Sequence, residues 1–198
     1  MNDWHFVKVK EKMASEIATK IELSDGAKTI LKDELSPAQF MSVLIDQQFY
    51  TDAVLFLAFS LPKREATWWA CLCAKGGLKD KAKPEDLKAM ELAEAWVYRP
   101  TNENCQVTMK AAEATAFQTS AGWAAVAAFW SGDNISTVAG ITTPPGDELT
   151  GKAVNAAELL AASMQEPEKV NDYHQLFLKQ GIDIACGGDG SLTESNSN

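Results

Sequence analysis

Two adjacent tryptophans, Trp68 and Trp69, follow Pro62 in a stretch that reads as one helix from Lys63 to Ala74. A helix turns ~100° per residue, so neighbouring indoles point to different sides of it. Ala66, Trp69, Ala70 and Cys73 make one apolar face, and Trp68 with Leu72 makes a second. A helix apolar on more than one side belongs in the middle of a bundle or beneath a partner. Either both indoles fill the core, or one of them, or Trp123 or Trp130, forms a patch on which a partner docks.

The surrounding sequence supplies helices to pack around that segment. Alanines cluster at Ala111–Ala112, Ala124–Ala125, Ala127–Ala128, Ala156–Ala157 and Ala161–Ala162, a composition that favours helices. Ser36-Pro37-Ala38-Gln39 has the form of a capping box with proline at the first helical position, and Tyr50 to Ser60 carries an apolar stripe through Val54, Leu57 and Ala58. Pro84-Glu85-Asp86 opens a further helix, ended at Arg99-Pro100. Thr101 is expected to cap a helix to about Phe117, and Ser120 to cap Ala121 to Trp130. Helices are also expected over Glu148 to Met164 and Pro167 to Lys179, the latter with Gly181 just past its end.

The segments between them read as loops. Gly76 to Pro84 is lysine- and glycine-rich, and Asn134 to Pro145 is the least helical part of the interior. Extended character is limited to His5–Lys10 and part of Ser136–Thr143. The fold class is therefore all-α: about eight helices in a bundle or in stacked helical hairpins. Residues 1–186 form one helical domain, with 1–32 its least regular part, and residues 187–198 form a disordered tail of Gly, Ser, Asn and acid.

Charge and residue supply narrow the function. Among 198 residues, 18 Lys and Arg against 27 Asp and Glu leave a net charge of −9, which disfavours nucleic acid and anionic membrane surfaces. Met1–Lys10 lacks the apolar run of a secretory leader, and Ala121–Trp130 is too short to span a bilayer. The four cysteines, Cys71, Cys73, Cys105 and Cys186, match no disulfide framework or metal-ligand spacing and read as reduced, buried thiols of a cytoplasmic protein. His5 and His174 are the only histidines, and His174 lies on an apolar stripe, where a satisfied core imidazole is expected. No catalytic residue, metal ligand or cofactor is assigned.

Several segments together resemble a known family. They are Asp52-Ala53-Val54, Leu61-Pro62-Lys63-Arg64-Glu65-Ala66, Trp68-Trp69-Ala70-Cys71, Gly122-Trp123-Ala124-Ala125, Ala128-Phe129-Trp130-Ser131-Gly132 and Gly181-Ile182-Asp183-Ile184-Ala185. From about Leu35 to Gly188 the chain resembles a bacterial family of unknown function. The resemblance implies a small helical protein, often encoded beside type VI secretion genes, and adds no catalytic residue.

The expectation is a non-catalytic accessory or adaptor protein that binds another protein, such as a secreted effector, a spike or a baseplate component. Its partner-binding candidates are Arg64, Glu65, Trp68, Trp69, Trp123 and Trp130. Two alternatives stand beside it: an immunity protein that plugs a basic toxin site, and an enzyme using Asp52, Arg64 and Glu65. The oligomeric state is left open.

Overall fold

A computed structural model of the chain describes residues 4–192 apart from 137 and 139. Residues 1–3 of the segment examined for a leader, and 193–198 of the expected tail, lie outside the described residues. Among those described there are ten α-helices and no strand. They are α1 Ala14–Ala18, α2 Asp25–Ile30, α3 Pro37–Asp46, α4 Tyr50–Ser60, α5 Lys63–Leu78, α6 Pro84–Tyr98, α7 Asn102–Ala114, α8 Ser120–Trp130, α9 Leu149–Ser163 and α10 Val170–Ala185. The two beyond the expected eight are short helices of the N-terminal segment. Short 3-10 turns at Lys79–Lys81 and Pro167–Lys169 precede α6 and α10.

Helix α8 is the hub. It packs against α5, α6, α7 and α9, and its Ala121, Ala124, Ala125, Ala127 and Ala128 are fully buried. Interaxial distance follows the size of the side chains at the contact, so this alanine surface lets four neighbours close in. Helix α5 is the second axis, touching α6, α8, α9 and α10.

Local signals set many of the boundaries. The Ser36 hydroxyl accepts from the Gln39 amide at 3.3 Å while the Ser36 amide donates to Gln39 Oε1 at 2.9 Å, completing the capping box. Thr101 accepts from the Asn104 amide at 3.3 Å. The expected cap at Ser120 is corrected by one residue: Thr119 accepts from the Gly122 amide at 3.2 Å, and Ser120 is the buried first residue of α8.

Tertiary packing overrides two glycine signals. Helix α5 runs on through Gly76 and Gly77 instead of ending at Ala74, because Gly77 lies directly on Ala161 of α9, where a Cβ would come within 2.7 Å of the backbone. Helix α10 likewise continues through Gly181. A Cβ there would stand 2.6 Å from Leu57 and 2.7 Å from the Trp69 indole, so the glycine makes room for the largest core side chain.

The expected extended character does not become sheet among the described residues. The Lys8 amide donates to the Ala185 carbonyl at the end of α10 (3.0 Å), and the Ile135 amide donates to the Thr143 carbonyl (2.8 Å) as a single loop bond. The N-terminal segment joins the core through Ala14, Ile17, Leu23 and Ala27, all buried. At the other end, residues 187–192 have defined contacts: the Gly188 amide donates to the Asp183 carbonyl and Gly190 is buried.

Candidate partner-binding surface

The four candidates on α5 separate into different environments. Trp69 has no exposed surface, and its Nε1–H donates to the Phe177 carbonyl at 2.7 Å. It is a core residue and, unlike the expected candidate contact, presents no surface to a partner. Trp68 is half-buried, lies 5.9 Å from the Tyr98 ring, and donates its Nε1–H to the Asp189 carbonyl at 2.7 Å. The chain's own C-terminal segment therefore covers part of that face. Arg64 Nε donates to the Val97 carbonyl at 2.6 Å, tying the start of α5 to the end of α6, and Glu65 pairs with Lys8 at 3.3 Å. Both are engaged within the chain.

The remaining two candidates belong to a row of aromatic rings. Trp123 and Trp130 are seven residues apart on α8, hence two turns along one face. Their rings meet edge-on at 6.3 Å, and Trp123 lies 6.5 Å from Phe117. Both tryptophans are half-buried, while Phe117 remains 42% exposed.

Phe117 reaches this position through an unusual turn. Ala116 (φ 53°) and Phe117 (φ 57°) both occupy the left-handed region, in the short link between α7 and α8. Each non-glycine residue there costs ~1–2 kcal/mol. Part of that cost is offset by the Trp123 Nε1–H, which donates to the Phe117 carbonyl at 2.9 Å. Trp123 thus serves the turn with its polar edge and the row with its ring. Sequence patterning missed Phe117, because neither glycine nor asparagine marks the turn.

Each of the residues considered for an enzyme has a partner of its own within the chain. Asp52 accepts from the Ser24 amide (2.7 Å) and the Ser24 hydroxyl (2.8 Å), holding the start of α2 against α4, while Arg64 and Glu65 have the separate partners given above. A cleft of 770 Å³ lies between the α4–α5 corner, the start of α9 and the N-terminal segment. Phe59, Lys63, Lys10 and Glu148 line it, and none of Asp52, Arg64 or Glu65 does.

His174 is in the core, as its place on an apolar stripe suggests, with a partner the sequence did not reveal. Glu158 of α9 is completely buried 2.9 Å from its Nδ1. Burial pushes the Glu158 carboxyl above the ordinary carboxylate value despite the hydrogen bond to His174. All four cysteines are free; Cys71, Cys73 and Cys105 are buried and Cys186 is half-buried. No helix among the described residues is long and apolar enough to cross a membrane.

Comparison with known proteins adds one match. The model of a family of unknown function, DUF6931, matches residues 40–185, from within α3 to the last residue of α10. No curated protein and no solved structure matches the chain.

Proposed function

The chain belongs to this family, DUF6931; we propose that it is a non-catalytic, cytoplasmic accessory protein that binds another protein. One observation carries the reading. The α7–α8 turn holds Ala116 and Phe117 in left-handed conformations and displays a row of three aromatic rings. Aromatic side chains with one face open are favoured anchors of protein interfaces, since they contribute a large area at little conformational cost. Such a strained turn persists only where its surroundings hold it, and strained residues of this kind concentrate at functional sites.

The partner class in this proposal is a component of a type VI secretion system, an effector, spike or baseplate protein. Support for it comes from the sequence resemblance, and the net charge of −9 favours a protein partner over a polyanion. Affinity capture from the native bacterium, using the intact chain and a Phe117→Ala/Trp123→Ala variant of it, tests the proposal. The expected result is a secretion component recovered with the wild type and reduced at least tenfold with the variant, while the circular dichroism spectrum is unchanged. Recovery of no secretion component, or equal recovery by both, overturns it.

A further inference from the structure

The cleft between the α4–α5 corner, the start of α9 and the N-terminal segment lies apart from the aromatic row: none of Phe117, Trp123 and Trp130 lines it. Its volume of 770 Å³ falls within the ~300–1,000 Å³ of small-molecule sites. The floor is largely apolar. Ala58, Leu61 and Gly151 are buried there, and Phe59 lies across Gly151, where a Cβ would come within 2.7 Å of the ring. Two buried hydroxyls join the same floor. Ser60 donates to the Phe56 carbonyl at 2.7 Å and Thr150 to the Trp130 carbonyl at 3.2 Å. Behind Thr150, the Ser131 hydroxyl (3.2 Å) and then the Thr67 hydroxyl (3.1 Å) carry the contact to the end of α8 and into α5. Four helices thus hold the cleft in shape before any ligand arrives, which lowers the ordering cost of binding.

Charge at the rim is unevenly spent. Lys10, Lys20 and Lys63 line the cleft together with Glu11, Asp147 and Glu148. Lys20 pairs with Glu11 at 2.6 Å, and Glu148 is engaged at 3.6 Å by Lys152 from outside the lining. Two cations, Lys10 and Lys63, then stand against one acid, Asp147, and none of the three forms an ion pair among the described residues. In a chain of net charge −9 this is a local excess of positive charge. Lys63 is also the first residue of α5, whose first turn has no side-chain cap, so amide donors without a helical partner lie in the same turn.

We propose that this cleft binds a small organic molecule through an anionic group, a carboxylate or a phosphate. Lys63 and Lys10 neutralise the anion by charge-assisted hydrogen bonds, and Phe59 with Leu61 covers the apolar part of the ligand. Lys63 lies within the residues 40–185 matched by the family model and Lys10 lies before them, so the site joins the family region to the N-terminal segment. Binding here requires no other protein, and the proposal stands apart from the function assigned to the aromatic row.

The test titrates the full, nitrogen-15-labelled chain with inorganic phosphate and, separately, with succinate, exchanging chloride to hold the ionic strength constant. With at least one of them, the amides of residues 63–65 and 148–151 are expected to shift along a saturating curve, and the stronger of the two identifies the anionic group. Lys63→Gln and Lys10→Gln should each weaken that binding by about fivefold or more. Lys88→Gln removes the same charge from α6, which does not line the cleft, and should change it less than twofold. Shifts that rise linearly with both anions, saturating shifts centred elsewhere in the chain, or equal weakening by Lys88→Gln overturn the proposal. The wild-type titration decides the first two of these outcomes without any variant.

Discussion

His174 Nδ1 lies 2.9 Å from Glu158 Oε1, and the two side chains join α9 to α10 with almost no exposure to solvent. When the carboxyl is protonated its O–H donates to Nδ1; when it is ionised, Nδ1–H donates to the carboxylate. One proton held between them leaves the pair without net charge, the arrangement that costs least in a low-dielectric interior.

The pair makes stability depend on pH in a defined direction. Burial raises the Glu158 carboxyl above its ordinary value of 4.5, and the His174 hydrogen bond only partly opposes this. The folded protein then holds the Glu158 proton more firmly than the unfolded chain. Its contribution is fully present below 4.5 and is lost as pH rises through the raised folded value. Glu158→Gln retains a hydrogen-bonding group without the titration. Urea unfolding across a pH series should show the wild type losing stability relative to Glu158→Gln over that interval, and the opposite slope contradicts the assignment.

Trp69 and Trp123 should respond differently to truncation. Trp69→Ala empties a site enclosed by Leu57, Phe177 and Gly181 and should cost ~3–5 kcal/mol. Trp123→Ala removes a half-buried ring and should cost about 1–2 kcal/mol, because less area leaves water there on folding. Denaturant titration of both variants checks the ranking, and equal losses would place Trp123 in the core as well.

The left-handed turn can be relieved without touching the aromatic row. Ala116→Gly removes the Cβ that disfavours φ 53°, while glycine gives the unfolded chain more freedom. The expected balance is a gain of up to about 1 kcal/mol in unfolding free energy. A loss of similar size would show that the turn carries no strain at Ala116.

Thiol labelling should follow burial. Burial pushes the Cys105 thiol up to about 11 and raises Cys71 and Cys73 as well, so few thiolates form at those positions near neutrality. Cys186 is raised too but is only half-buried. Iodoacetamide labelling followed by peptide mass spectrometry should modify Cys186 first, with Cys71 and Cys73 protected until the protein unfolds. Early labelling of Cys73 would contradict the packing of α5.

Signals resolved within one turn of chain were legible in the sequence. Ser36 and Gln39 cap each other across three residues, and Pro84 with Asp86 starts α6 as its local chemistry dictates. Features that depend on a distant neighbour were not. Gly77 and Gly181 look like breakers until Ala161 and Trp69 are seen packed against them. Nothing local marks Glu158 as buried, since its partner lies on another helix, and Phe117 reaches the candidate site only through a turn whose residues carry no mark of it. Of the six partner-binding candidates, Trp123 and Trp130 meet in one row, Trp69 lies in the core, and Arg64, Glu65 and Trp68 hold contacts with other parts of the chain.

The bond from the Lys8 amide to the Ala185 carbonyl also has a mechanical meaning. It fastens the early part of the described chain to the closing turn of α10, so a pull applied at both ends meets this clasp before it reaches the helices in between. Tension would peel residues 4–8 and the end of α10 first, leaving the alanine-lined hub around α8 shielded from the load.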